Sequence, residues 1–318
     1  MKTQPSTYRL RNWKDYNASL ARRGSLTLWI EEGIETFWLY PGLSGRRGAS
    51  PTYSNRAIEA CLAMRVLFRL PLRQTQGFVR SLLCLAGWTL PVPDYSTLCR
   101  RQRGLPVRLP VRPSESARHI VLDSTGLKVF GEGEWKVRKH GKSSRRLWKK
   151  LHLSVDEATG EVLGVEMSEG DAADGPRLPS LVQQSQANGG QVKQASADGA
   201  YDSWANDQFL SQQGIVSTIP PRAGSKIRQH GNCQAPPLQR DENLRGIRRW
   251  GRSVWAKVSG YSRRCLAETH MMRQKRLLGA CLLGRTEQAQ QTECRLRCAV
   301  LNRLTQQGMP DAYPRCVQ

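Results

Sequence analysis

The 318-residue chain has no apolar run near the roughly 18 residues that a membrane-spanning helix needs, so a membrane span is not expected. Met1 to Lys14 is polar and mixed, without the apolar stretch and small-residue cleavage site of a secretory signal. Cysteine occurs nine times, an odd number, and never as Cys-x-x-Cys, which points to reduced thiols in a cytoplasmic setting rather than a disulfide scaffold. Cys281 with Cys294 and Cys298, and His230 three residues before Cys233, offer spacings of interest for zinc. Buried or incidental side chains are the default explanation of both. Gly131 and Gly133 lack the spacing of a phosphate-binding fingerprint. Acid is in short supply beside base: 26 Asp and Glu face 49 Lys and Arg, a net charge of +23. Such an excess favours a polyanionic partner, because neutralising phosphates releases condensed counterions. A membrane surface would call for an amphipathic basic helix or a lipidation signal, and neither is evident.

What is present divides into two parts. Through about residue 113 the pattern is helical. Arg11 to Glu32 reads as one or two short helices interrupted at Gly24. A helix capped by Ser54 or Asn55 carries Ile58, Cys61, Leu62 and Val66 and ends at Pro71. A second runs from Leu72 to Gly87, and a third, short and basic, starts at Asp94 or Ser96 and bears Arg100, Arg101 and Arg103. Three short helices with a polar, basic last member form a helix-turn-helix pattern, although a small bundle with a solvated charged face would read the same way. Gly104 to Pro113 is a proline-rich linker.

Beyond the linker the period changes to that of strands. His119 to Phe130 holds Ile120, Val121 and Leu122 directly before Asp123. Leu147 to Val155 and Val162 to Met167 form a hairpin about the Asp156 to Gly160 turn. A helix over Pro176 to Ala187, a strand over Gln191 to Ala197, a helix over Tyr201 to Gln213 and a strand over Ile215 to Ile219 follow. Residues 220–243 are a polar, basic insertion, and Leu244 to Leu278 is a long helical stretch with candidate breaks at Gly251 and Gly260. This order is mixed α/β rather than a regular run of parallel β-α units.

Three acids stand where acids are awkward unless they work. Asp123 follows an apolar strand, Asp198 ends another strand just before Gly199, and Glu268 lies in a strongly basic helix. Singly, each has an ordinary explanation: a turn cap, an Asx-turn, an i,i+4 pair with Arg264. On a continuous helix, however, Tyr261, Arg264, Glu268 and Lys275 advance by 3, 4 and 7 residues, which places them within about 60° of arc. That stripe is too polar for a core and suits a surface that meets phosphate and metal together. Cys265, about 100° round from Arg264, is expected to pack. Lys136, Arg138 and Lys139, in a basic run flanked by Trp135 and Trp148, suit a DNA backbone or a solvated hairpin rim; Arg222, Lys226 and Arg228 are further candidates for DNA contact.

The spacing Tyr261-x2-Arg264-x3-Glu268-x6-Lys275 resembles the signature of the DDE transposases of the IS-four and IS-five type, encoded by bacterial insertion sequences. Val121 to Lys128 resembles their first aspartate block and Ala197 to Asp202 the second. Gly133 to Gly141 is similar to the basic stretch between them. Asn12 to Asn17 and Arg22 to Leu26 are similar to the opening of the IS-five family, and Leu301-Asn302-Arg303 and Gly308-Met309-Pro310 to its end. The resemblance implies an RNase H-like mixed-sheet catalytic domain over 114–318, preceded by an all-α, helix-turn-helix-like DNA-binding domain over 1–113 that recognises terminal inverted repeats. It implies Asp123, Asp198 and Glu268 as catalytic residues and metal ligands. Tyr261, Arg264 and Lys275, with Lys136, Arg138, Lys139, Arg100 and Arg101, are expected on DNA. Two Mg²⁺ or Mn²⁺ ions are the implied cofactors, since hard oxygen ligands suit them better than zinc. Double-stranded DNA, at least a dimer in the synaptic complex, and a bacterial cytoplasm near the nucleoid complete the expectation. Two rivals stay open: a hydrolysis-only nuclease of the same fold, and a non-catalytic DNA-binding protein such as a repressor or a decayed transposase.

Overall fold

In the computed structural model, which describes residues 8–30, 33–42, 50–129, 148–230, 234 and 237–314, the helices of the first part begin where caps stand. A short strand, β1 (Tyr8–Leu10), precedes α1 (Trp13–Arg22) and α2 (Ile34–Trp38). In α3 (Asn55–Phe68), the Ser54 side chain accepts a hydrogen bond from the Ala57 N–H at 3.1 Å, satisfying one of the free donors of the first turn. Arg69, in the left-handed region at φ 53°, ends it. α4 (Leu72–Leu85) follows. α5 (Tyr95–Arg101) opens with Asp94 accepting from the Ser96 N–H at 2.8 Å. Their apolar faces close over Trp38, Ile58, Leu62 and Leu98, and the same core takes in Leu296, Val300 and Leu304 from near the end of the chain. The first and last parts of the chain are therefore packed together, and β1 adds an antiparallel pairing with Ala312–Pro314 that the sequence pattern does not reveal.

The second part is built on a six-stranded sheet. β2 (Arg118–Val129), β3 (Trp148–Asp156) and β4 (Val162–Glu169) form an antiparallel meander. After α6 (Leu178–Gly189), β5 (Val192–Ser196) returns parallel to β2. After α7 (Trp204–Gln212), β6 (Val216–Thr218) lies parallel to β5. The order β4-β3-β2-β5-β6, three antiparallel strands followed by two parallel ones, is the RNase H-like mixed sheet expected from the resemblance.

Alternation along β2 sorts its side chains between two cores. Ile120 and Leu122 join Leu178, Leu181, Val192 and Tyr201 on the face covered by α6. Val121 and Leu127 join Leu151, Leu153, Ala267 and Met271 on the other. That second face is covered by the C-terminal helices. The expected long helix is in fact α8 (Gln239–Trp250), α9 (Arg252–Val258), a 3-10 turn at Tyr261–Arg264, and α10 (Cys265–Leu278). It breaks at both candidate glycines, Gly251 at φ 78° and Gly260 at φ 77°, a region that side chains with a β-carbon rarely enter. α8 also starts inside the segment read as an insertion. β7 (Cys281–Leu282), absent from the sequence reading, pairs with β2 at Lys128 and Val129, and α11 (Glu287–Gln306) follows. Cys294 and Cys298 are buried in the core beside the sheet, as packing side chains.

Asn302 ties these pieces together. Fully buried on α11, it accepts from the Val162 N–H at 2.7 Å and donates to the Val162 and Pro110 carbonyls at 2.8 and 3.1 Å. It thus joins the last helix to β4 and to the linker. Asn302→Leu keeps the volume close but strips both main-chain groups of Val162 of their partner. We expect a loss of about 3 kcal/mol in urea unfolding, against little loss for a swap at exposed Arg285.

Candidate active site at the sheet edge

Pairing in the sheet brings the two aspartates together. In the parallel ladder Val121 of β2 stands opposite Ser196 of β5. Two residues further along the chain come Asp123, still on β2, and Asp198, in extended backbone just past the end of β5, so equal steps from one paired position carry both carboxylates to the same side of the sheet edge. Beyond Val121 that edge of β2 has no strand partner until Lys128 meets Cys281, among the described residues. A gap thus opens in the sheet beside Asp123. Crevices at the carboxyl ends of parallel strands are where open α/β sheets place their ligands.

Asp123 shares the face of Val121 and Leu127, and so points toward α10. Its neighbour on that side is Arg264, whose Nη1 donates to Asp123 Oδ2 at 3.0 Å while its Nη2 donates to Glu268 Oε1 at 2.5 Å. One guanidinium therefore spans a carboxylate on the central strand and one on the helix. Two residues along β2, Thr125 accepts from Lys275 Nζ at 2.6 Å. Asp123, Thr125, Glu268, Met271 and Lys275 line an open groove of about 660 Å³. Tyr261 and Arg264 occupy the 3-10 turn, so the four residues of the stripe do not lie on one continuous helix as the spacing suggested. The stripe survives because Gln194 on β5 donates to the Ser259 carbonyl at 2.8 Å, pinning the turn to the sheet. The Arg264 guanidinium lies 5.9 Å from the Tyr261 ring centre. Cys265, expected to pack, is instead exposed at the start of α10.

Burial pushes the Asp123 carboxyl above its usual range, and the charges of Asp198 and Glu268 push it the same way. The Ser124 N–H, donating to Oδ1 at 2.8 Å, and Arg264 act against them. Three mutually repelling carboxylates around a half-buried edge need a positive charge, and Arg264 supplies one. The donor set fits a hard divalent ion: all the converging atoms are carboxylate oxygens, and Asp198 uses only Oδ1, for the Ala200 N–H at 2.9 Å. With Arg264 shared between Asp123 and Glu268, no group of three ligands is drawn together tightly enough for an ion among the described residues.

Several supporting residues have no sequence signature. Asp202 pairs with Arg240 at 2.7 Å and accepts from the Arg222 N–H at 2.8 Å. Arg222 donates to the Gly199 and Ala200 carbonyls, both at 3.0 Å. The arginine of the basic insertion thus clamps the turn that presents Asp198. Arg228 lies 3.8 Å from the Trp204 ring centre, and Lys226 is exposed. Behind Asp123, Ser124 donates to Asp174 at 3.0 Å, and Lys150 Nζ lies 3.0 Å from the same carboxylate. Asp202 closes the second aspartate block, but nothing in the sequence gave it this role; Asp174 gave no signal. Arg100 and Arg101 lie away from this site on α5. Arg100 is exposed, whereas Arg101 donates to the Tyr53 carbonyl at 3.0 Å and to Asn55 at 2.6 Å. Lys136, Arg138 and Lys139 lie outside the described residues.

A family described as "Transposase DDE domain" matches residues 114–303, more than half of the chain. The chain belongs to the DDE transposases. A second family with the same description matches residues 21–132, so the two together take in the helical part as well as the sheet. Among solved structures, a chain in the cryoEM structure of the simian T-cell lymphotropic virus intasome with PP2A regulatory subunit B56 gamma aligns at 15% identity. The alignment covers 47% of this chain and 51% of that one, with a TM-score of 0.24. The transposase chain thus spans about half the length of that relative, and at such a score the likeness lends the fold no weight.

The Arg264 bridge makes a direct expectation. In Arg264→Gln the positive charge that restrains Asp123 is gone, while burial and the two acidic neighbours remain. The Asp123 carboxyl, read by carbon NMR of the metal-free protein, should titrate at higher pH than in the wild type. An unchanged or lower midpoint would mean that Arg264 does not govern it.

Proposed function

We propose that this DDE transposase cleaves DNA at the ends of an insertion sequence of the IS-five type and joins the freed ends to target DNA. The observation that carries this reading is the pairing of Val121 with Ser196, from which Asp123 and Asp198 follow in step, with Glu268 facing them across Arg264. Asp123, Asp198 and Glu268 would hold two Mg²⁺ or Mn²⁺ ions. Bound there, the ions supply an activated water or 3′-hydroxyl and stabilise the leaving oxygen. Arg264 and Lys275, one on each side of Glu268 along the groove, neutralise phosphate oxygens. With the carboxylates held by a divalent ion, the Arg264 guanidinium, which otherwise bridges Asp123 and Glu268, would be free to do so. Tyr261, packed at a tilt against Trp255 with ring centres 5.3 Å apart, supports that arginine.

In this reading residues 1–113 recognise the terminal inverted repeats, with Arg100 the more available of the two expected arginines. Residues 114–318 cut and join. The basic run around Lys136, Arg138 and Lys139 follows the DNA backbone, and two copies of the chain at least hold the paired ends. The net charge of +23 serves a duplex partner throughout, in keeping with work at the bacterial nucleoid.

The test uses labelled DNA carrying the candidate inverted repeats, with Mg²⁺ or EDTA, and the Glu268→Gln variant. Metal-dependent nicking at the ends with joined products is expected, both lost in the variant while DNA binding persists. Cleavage without joining would leave a hydrolysis-only nuclease. Binding that survives chelation, with no cleavage under any metal, would leave a non-catalytic DNA-binding protein.

A further inference from the structure

The elbow between α8 and α9 gathers exposed arginines and apolar side chains. Residues 248–254 are exposed without interruption. Three of them are Arg248, Arg249 and Arg252, and Lys257 lies just beyond. Arg249 and Arg252 make no hydrogen bond or ion pair among the described residues; Arg249 only flanks the Trp250 ring, 5.9 Å from its centre. Trp250, at the end of α8, is 48% exposed, and Val254 and Val258, four residues apart on α9, are 49% and 71% exposed. A lone exposed apolar side chain needs no explanation, but exposed apolar side chains gathered at one elbow beside unpaired arginines mark a surface that meets something.

The elbow is also stiff, and it leads to the catalytic groove. A β-carbon on Gly246 would lie 3.0 Å from the Trp255 ring and 3.4 Å from that of Trp250, so both indoles rest on the bare backbone of α8. Trp255 is buried and packs at a tilt against Tyr261. The Tyr261 ring faces Arg264, and Arg264 bridges Asp123 and Glu268. An aromatic chain therefore runs from the exposed elbow to the acidic site.

We infer that this elbow is a docking surface for duplex DNA, with Arg249 and Arg252 on backbone phosphates and Trp250 packed against the adjoining sugars and base edges. The inference rests on the transposase reading for its substrate. It adds a contact that neither the signature residues nor the basic insertion supplies. Duplex DNA is favoured over an anionic membrane because α9, at seven residues, is too short to lie in a bilayer interface as an amphipathic helix. Unpaired guanidiniums beside an aromatic face suit phosphate and sugar together.

Binding of a fluorescent duplex should be followed by anisotropy across a range of salt for the full chain, for Arg249→Ala/Arg252→Ala and for Trp250→Ala. Arg285→Ala/Arg295→Ala, which removes the same charge from an exposed region elsewhere, serves as the control. Losing two phosphate contacts should flatten the dependence of log affinity on log salt by about 2, at roughly 0.9 per phosphate. Trp250→Ala should weaken binding severalfold, and the control should follow the wild type. Equal flattening in both double variants would reduce the effect to bulk charge and overturn the inference. So would loss of binding to phosphatidylglycerol vesicles in the elbow variant with DNA binding intact. If the elbow variants bind like the wild type while Glu268→Gln still abolishes cleavage, the docking surface falls and the transposase reading stands. A wild-type chain that binds no duplex would overturn both.

Discussion

One backbone pairing governs the sheet-bearing half of this protein: the parallel ladder between β2 and β5, with Val121 opposite Ser196. Because side chains alternate along a strand, a slip of one residue would turn Asp123 into the core filled by Leu178 and Tyr201 and bring Leu122 or Ser124 to the groove. The register is protected by what it buries. Ile120 and Leu122 fit one core, Val121 and Leu127 the other, and both sets lose their places together if the ladder shifts. The apolar strand that looks like ordinary core is therefore also the device that aims the aspartate.

The second constraint is electrostatic. A carboxylate at a half-buried sheet edge is costly, and two more beside it increase the cost. Arg264 meets that demand from the helix side, in contact with Asp123 and Glu268 at once. Arg222 and Asp202 fix the turn that presents Asp198. The groove is thus held in shape by ion pairs around its edge, while the packed cores lie behind it.

Much of this architecture can be read from the chain. The cap at Ser54, the alternation of β2 and β3 and the acids after apolar strands are local patterns, and local patterns survive into the structure. So do the breaks at Gly251 and Gly260, although the sequence could not choose between them and the structure uses both. What escaped depends on contacts between distant residues. β7 is two residues long and exists only because β2 offers it an edge. β1 finds its partner at the other end of the chain. The Arg222 clamp and the Asp174 support of Ser124 connect residues 23 and 50 positions apart, with no spacing to betray them. The stripe through Tyr261 and Glu268 was found by helical arithmetic although a 3-10 turn forms part of it, because Gln194 holds that turn in line with α10.

We propose that strand register places Asp123 and Asp198 as joint ligands of one ion. Crystals equilibrated with Mn²⁺, with the anomalous signal of the ion recorded, test it directly. The account predicts a peak in contact with carboxylate oxygens of both residues, with Arg264 no longer on Asp123. A peak on only one aspartate, or none while Arg264 still bridges Asp123 and Glu268 at saturating Mn²⁺, would contradict it.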